Sequence, residues 1–407
     1  MIPAAPPHAE HWQRQAVLTL NAGSSSLKVA LYGPQGVTPM VTGQVDRIGP
    51  QGVLQLQDAS GHSLPMVNPD LRTHPAALRA VIDALQRAIP GLRLAAVGHR
   101  VVHGGAHYTA PVVVDEAVLN DLQALAPLAP LHQPHNLAGV RMAMQAFAGV
   151  PQVACFDTAF HRDHPFVNDT FALPYRYYEQ GVRRYGFHGL SYEYVTGELQ
   201  RLAPALYQGR VVVAHLGNGA SMCAIHAGRS VASTMGFSAL DGLPMGTRSG
   251  QIDPGVLLYM LDQEGMTAEQ IRHLLYHESG LLGLSGGLSN DMRTLQASDS
   301  PEARRAIDYF VFRIQRELGA MAAAMGGIDA LVFCGGIGEH SALVRQRVCE
   351  RMGWMGIEID HGLNAAGATL LSSAFARTTV MVIPTQEELV IARAARQAAG
   401  LNPEEHS

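Results

Sequence analysis

Ala16-Val17-Leu18-Thr19-Leu20-Asn21-Ala22-Gly23-Ser24-Ser25-Ser26-Leu27-Lys28-Val29-Ala30-Leu31-Tyr32 decides the fold. Residues 16–20 are an apolar run that reads as a strand, 21–26 a small polar turn, and 28–32 a returning strand. Such a hairpin aims backbone N–H groups and hydroxyls at a ligand. A dinucleotide-binding turn or a P-loop would run into a helix instead. The string also contains neither G-x-G-x-x-G nor G-x-x-x-x-G-K-[ST].

The same design returns much later. Val211-Val212-Val213-Ala214 leads into His215-Leu216-Gly217-Asn218-Gly219-Ala220-Ser221, followed by apolar 222–225. Superposing Ser26 on Ser221 and Gly33 on Gly228 sets the copies 195 residues apart, too far for a short-period solenoid. Two related α/β lobes follow. Periodicity predicts helices over 75–89, 134–147, 301–325 and 387–399, and strands over 95–98 and 153–156. Residues 330–333 read as a strand entering a turn over 334–339. Alternating strands and helices place functional groups at strand ends. The final helix is expected to pack back on the first lobe.

Outward from these elements, 407 residues suffice for two or three domains, and 47% hydrophobic with 15% charged residues is a folded profile. A net charge of -5, with no run of Lys and Arg, supplies no field for nucleic acid. Cys155, Cys223, Cys334 and Cys349 form no C-x-x-C pair, so they read as reduced core thiols rather than a disulfide or zinc framework. Residues 1–15 read as a flexible tail without a signal segment, and the most apolar helical stretch, 318–328, is too short to cross a bilayer. No membrane association and cytoplasmic residence are the expectation.

Phosphoryl transfer needs charge neutralisation and in-line geometry. Arg100, just beyond an apolar strand, and Arg248, in Met245-Gly246-Thr247-Arg248-Ser249-Gly250, carry guanidiniums suited to carboxylate or phosphate, though each reads equally as a structural arginine. His188 and His132 suit a donor near developing charge, or a structural hydrogen bond. Asp157 ends a strand and suits an orienting carboxylate or a turn acceptor. Asn21 and Glu387 offer the hard oxygen donors magnesium prefers, as well as ordinary turn and helix-start roles.

Eight strings together are specific. Asn21-Ala22-Gly23-Ser24-Ser25-Ser26-Leu27-Lys28, His99-Arg100-Val101-Val102-His103-Gly104-Gly105 and Phe156-Asp157-Thr158-Ala159-Phe160-His161 come first. Arg184-Tyr185-Gly186-Phe187-His188-Gly189-Leu190-Ser191, His215-Leu216-Gly217-Asn218-Gly219-Ala220-Ser221 and Met245-Gly246-Thr247-Arg248-Ser249-Gly250 follow. Gly336-Ile337-Gly338-Glu339 and Thr385-Gln386-Glu387-Glu388 complete the order. In this sequence the chain closely resembles the acetate kinase family.

The resemblance implies an α/β fold of two duplicated actin-like, ribonuclease H-like lobes with an interlobe active-site cleft. The first lobe would span 16–157, joined by the C-terminal helix 387–407, and the second, nucleotide-binding lobe 158–386. It implies reversible phosphoryl transfer from ATP to acetate, giving ADP and acetyl phosphate, with Mg2+ (Mn2+ as a substitute) and a homodimer. Asp157, His188 and Arg248 would be catalytic. Arg100, His132, Val102, Leu131, Phe187 and Ala239 would contact the acid. Ser24, Ser26, Lys28, His215, Leu216, Gly217, Asn218 and Gly219 would face ATP, with Asp291, Met292, Arg293, Gly336, Ile337, Gly338, Glu339 and His340. Asn21 and Glu387 would support the metal.

Some positions depart from the family pattern. Ala239 stands where Pro is common, and a smaller side chain there motivates propionate or other short acids as the alternative substrate. Tyr192 replaces a usual His, His340 and Gln386 each replace an Asn, and Asn290 alters a Ser-rich approach. A sugar or glycerol kinase would want more hydroxyl-directed carboxylates. An actin-like ATP-binding scaffold would not need the Arg, His and Asp set.

Overall fold

The opening hairpin forms, and it is longer than the sequence pattern suggests. β1 runs Ala16–Ala22 and pairs antiparallel with β2, Leu27–Tyr32, closing at Ala22↔Leu27. Asn21 is therefore the strand partner of Lys28 rather than a turn residue, because cross-strand pairing carries past the last apolar side chain. The computed structural model describes residues 15–23, 26–66, 69–130 and 132–401. The expected tail at 1–15, except its last residue, together with Ser24 and Leu131, lies outside these.

The chain divides into two compact units. One holds the described residues up to Ala159 together with those from Gln386 onward, and the other is Phe160–Thr385. In the first, β3 (Val41–Asp46), β4 (Val53–Asp58), β5 (Leu94–Val101), β6 (Val112–Val113) and β7 (Gln152–Phe156) complete a sheet ordered β4-β3-β2-β1-β5-β7-β6. β1 lies between an antiparallel and a parallel neighbour. Its residues are almost all buried, so the strand reads apolar on both faces.

Helix α1 (His74–Ala88) starts where Thr73 accepts from the Ala76 N–H at 3.3 Å, with Pro75 in its first turn. It buries Ala77, Leu78, Val81, Ala84 and Leu85 against Leu18, Leu31 and Leu56. Each such leucine contributes about 1.5–3 kcal/mol on burial. Helix α2 (Gln133–Ala146) places Leu137 and Val140 against Val101, Ala154 and Phe156. The C-terminal helix, Glu387–Ala398, packs on β5 at Gly98. A Cβ there would lie 2.5 Å from Ile391 Cγ2 and 3.1 Å from the Ile391 carbonyl oxygen, so only glycine admits this approach. Arg396 ties the same helix to the chain beyond β2, donating to the Gly33 carbonyl at 2.7 Å.

The second unit has β8 (Arg210–Leu216), β9 (Ala220–His226), β10 (Arg229–Ser233), β11 (Ala330–Cys334) and β12 (Thr379–Val382), ordered β10-β9-β8-β11-β12. This repeats the β3-β2-β1-β5-β7 order of the first sheet, antiparallel and parallel pairs included. The actin-like architecture is thus present as two ribonuclease H-like sheets. Around the second sheet lie α3 (Gly189–Leu202), α4 (Pro254–Asp262), α5 (Met292–Gln296) and α6 (Pro301–Met325). α6 is capped by Ser300 and ended by Gly326 in the left-handed region. The turn expected over 334–339 is instead a short helix, α7 (Gly335–His340), because Gly335 turns left-handed directly after β11. His215 likewise belongs to β8, opposite Ser221.

All four cysteines are buried thiols. Among the described residues no helix is long and apolar enough to cross a membrane.

Buried histidines set the acid limit of the fold. His99 on β5 pairs with Gln152 at 2.8 Å, and burial lowers its pKa to about 4. Burial also lowers His161, in the second unit, to about 4, against the pull of the Phe187 carbonyl. Both fold as neutral rings and unfold into groups that titrate near 6.5, so the unfolded chain binds more protons below that pH. Their stabilisation is complete above pH 6.5 and is lost as pH falls towards 4. Denaturant unfolding at pH 5 should cost about 2 kcal/mol less per histidine than at pH 7. Equal stability at the two pH values would show that these rings are not held neutral.

Candidate active site

In the first unit the parallel pair β5–β7 puts Arg100 beside Cys155 and ends both strands together. Asp157, one residue past β7, receives Arg100 Nε at 3.0 Å and Nη2 at 2.7 Å, a bidentate fork. Glu387, first residue of the C-terminal helix, brings its Oε2 to 3.7 Å from Arg100 Nη1. Burial opposes the Arg100 charge, but Asp157 and then Glu387 more than offset it and hold the guanidinium above its ordinary value. Burial raises Glu387 above the usual carboxylate range; Arg100 opposes that, while the like charges of Asp157 and Glu388 add to it. Lys28 also acts on Glu387, which brings the Asn21–Lys28 strand pair to the same end of the sheet.

Two amides beneath this end carry no signal in the sequence beyond their helical setting. Asn136 on α2 accepts from the Val102 N–H at 3.0 Å and donates to the Ala22 carbonyl at 2.7 Å, joining β1 to β5. Gln133 accepts from the His103 N–H and donates to its carbonyl, at 3.1 and 2.9 Å. Both are buried and fix the chain next to Arg100. His132 is the residue before α2, with its carbonyl bonded to the Asn136 N–H. Val102 is buried, and the Ser26 carbonyl receives the Gly23 N–H.

In the second unit His188 precedes α3 in the left-handed region (φ 58°), a conformation rare outside glycine. Its Nδ1 meets Ser221 Oγ at 2.8 Å, and its ring stacks on His215, centroids 4.3 Å apart at 22°. His215 Nδ1 in turn meets Ser191 Oγ at 2.8 Å. Arg248 donates from Nη1 to the Ala239 carbonyl at 2.8 Å. Gly219 lies against both groups: a Cβ there would be 2.9 Å from Arg248 Nη2 and 3.1 Å from His188 Nε2. One guanidinium and one imidazole therefore converge on a single backbone position, the arrangement needed to meet charge developing on a phosphoryl group.

The acetokinase family profile matches residues 16–393. The chain belongs to the acetokinase family. It is 56% identical to an acetate kinase of Methylocella silvestris over 93% of this chain and 96% of that relative. Among solved structures it resembles a Porphyromonas gingivalis acetate kinase (37% identity, TM-score 0.86) and a Francisella tularensis propionate kinase (35%, TM-score 0.89). Each covers 94% of this chain and 99% of the other.

The remaining positions fall into place within this family member's second unit. β8 and β11 end side by side at His215↔Cys334, so the 217–219 turn and α7 emerge together, with Gly336 N 3.9 Å from a Cβ built on Gly217. Asn218 gives its carbonyl to the Gly246 N–H at 3.0 Å, linking the turn to the Arg248 loop. Gly336 is exposed and open, Ile337 half-buried and His340 exposed, while Gly338 is buried. Glu339 is committed to structure, its Oε1 accepting from the Gly335 and Thr385 N–H groups at 2.8 and 3.1 Å. Buried Arg345, which the sequence did not single out, holds the Gly338 and Glu339 carbonyls at 2.9 and 2.8 Å. Asp291 caps α5 and pairs with Arg293, whose Nη2 reaches it at 2.6 Å; Arg293 also lowers Asp291 to about 2. Met292, Leu216 and Phe187 bury their side chains, leaving backbone for any ligand there.

Replacing Gly219 by Ala should drive the Arg248 and His188 tips apart. The expected outcome is a fall in kcat/KM of about 100-fold with the melting temperature little changed. Unaltered turnover would place the reacting group elsewhere.

Proposed function

We propose that this acetokinase-family chain transfers the γ-phosphoryl group of ATP to acetate, reversibly, giving acetyl phosphate and ADP. The convergence of Arg248 and His188 on Gly219 carries the reading, in a chain similar along nearly its whole length to proteins named acetate kinase. An acetate oxygen attacks the γ-phosphorus, the bond from phosphorus to the bridging oxygen breaks, and ADP leaves with the electron pair. Charge spreads over the equatorial oxygens, which Arg248 and His188 receive as donors. Arg100, its guanidinium oriented by Asp157 and Glu387, offers a cation for the carboxylate. The turn at 217–219 and exposed Gly336 offer backbone to the nucleotide.

Magnesium fits the first unit's donors. Asn21 and Glu387 carry oxygen donors, and among the described residues no group of three or more His, Cys, Asp or Glu forms a closed cage. Mg2+ suits such a site, keeping waters and sharing few protein oxygens with substrate phosphates. When bound it would supply charge neutralisation on the phosphate oxygens.

Homodimerisation belongs to the same proposal. Helix α4 exposes Val256, Leu258, Tyr259 and Leu261, and α6 exposes Phe312. Gln251, just before α4, accepts from Arg313 and Arg316 of α6 at 2.9 and 2.7 Å, which ties the segment leading into α4 to α6. An exposed apolar surface of this kind calls for a partner.

Hydroxylamine trapping tests the activity. With ATP and Mg2+, acetate should yield hydroxamate at the highest kcat/KM, and chelation should abolish it. Ala239, whose carbonyl carries Arg248, leaves room for propionate at a kcat/KM lower by about 10–200-fold, the worth of one methylene. No acyl phosphate from acetate, propionate or butyrate would overturn the proposal.

A further inference from the structure

We propose that Tyr192, acting through Ser221, is a positioning residue for the transfer step: it fixes His188 as the neutral tautomer with its proton on Nε2. The inference rests on the phosphoryl-transfer reading of His188 and adds the device that presents it.

Tyr192 lies four residues after His188, and its N–H donates to the His188 carbonyl at 3.1 Å, so the two share one face of α3's first turn. The Tyr192 ring is fully buried, and its hydroxyl meets Ser221 Oγ. The same Ser221 Oγ lies 2.8 Å from His188 Nδ1. These three groups form a chain: phenol, hydroxyl, imidazole.

The direction of the protons follows from counting them. Burial, with Cys223 adding to it, holds the Tyr192 phenol well above its ordinary pKa, so it keeps its proton. A buried phenol O–H takes an acceptor, and Ser221 Oγ is the one in contact. A serine hydroxyl has one proton and two lone pairs. Having accepted from Tyr192, Ser221 turns its own O–H to His188 Nδ1. Nδ1 then accepts, and the ring's single proton sits on Nε2. That is the nitrogen which converges with Arg248 Nη2 on Gly219.

His188 is thereby presented as a hydrogen-bond donor to an incoming anion without having to gain a proton first. The groups packed about the chain include His161 and Phe160 on the Tyr192 ring, His215 from β8, Cys223 from β9, Cys334 from β11 and Arg248. His215 stacks on the ring face and leaves the edge to Ser221. In this chain a phenol thus starts the relay.

Nitrogen-15 spectra of histidine-labelled full-length protein test it, with His188 assigned by the signal lost in His188→Gln. The wild type should show Nδ1 unprotonated and Nε2 protonated. Tyr192→Phe keeps the ring and removes the donor; it should shift His188 to mixed tautomers and lower kcat by about 10–100-fold with KM for ATP little changed. Ser221→Ala, a smaller change, should do the same if Tyr192→Phe fails to fold. Retention of the pure Nε2–H form in a folded variant would overturn the relay. A shifted tautomer with wild-type kcat would overturn its bearing on transfer. Absence of acyl-phosphate formation by the wild type would instead sink the kinase reading, leaving the spectra to decide the relay.

Discussion

Arg248→Ala should lower kcat/KM by about 1,000-fold while leaving the protein folded. Donors aimed at developing phosphoryl charge are worth about 10²–10³ each, and arginines at such positions more. The structural cost is small by comparison. Arg248 is half-buried, and its Nη1 donation to the Ala239 carbonyl is worth about 1 kcal/mol net. Arg248→Lys should not restore the rate, because an ammonium cannot hold Ala239 with one nitrogen and face Gly219 with another. Steady-state kinetics beside thermal unfolding measure both. Turnover within a few-fold of wild type would remove Arg248 from the transfer step.

Arg100→Ala should behave differently, losing stability as well as activity. Asp157 is 3% exposed and Glu387 16%, and the guanidinium between them is their shared counter-ion. Removing one partner of a buried ion pair costs about 3–5 kcal/mol, since the charges left behind stay desolvated. The pH dependence gives a second check. In the variant, burial and the like charge of Asp157 raise the folded pKa of Glu387 above its unfolded value, with Arg100 no longer opposing them. The folded variant then binds more protons, so its deficit is greatest at neutral pH and shrinks as pH falls towards the carboxylate range. Urea unfolding of variant and wild type at pH 7 and 5, with chelator present, reads this difference. A deficit that is the same at both pH values would mean that Asp157 and Glu387 are not repelling each other.

The contrast between the two arginines was not legible in the sequence. Both follow or lie within glycine-rich strings and both suit oxyanions. One is clamped by two carboxylates brought from 57 and 287 positions away along the chain, while the other donates to the nearby Ala239 carbonyl. Asn136 and Gln133 were equally hidden, because a helical pattern does not say which amides turn inward to satisfy strand ends. Glu339 lay in a recognisable motif, yet its carboxylate serves two backbone N–H groups, a use visible only once β11 and the 385 segment meet. Tyr192 was marked as a departure from the family, but its partner Ser221 is 29 residues away and joins it only through the β8–β9 hairpin.

What the sequence determined by itself is the repeated hairpin and the periodic helices: local alternation of apolar residues, turn glycines and caps act over a few residues, and the predicted helix over 301–325 matches α6 at both ends. It also determined the family, because eight motifs in order are a property of the chain alone. Only the tertiary structure decided which groups touch. Strand pairing extended β1 through Asn21 and β8 through His215, and parallel β5–β7 and β8–β11 brought their ends level. Contacts between residues far apart depend on register and burial, which no local pattern encodes. The first hairpin therefore announced the fold, and pairing across the sheets set Arg100 on its carboxylates and His188 on Ser221.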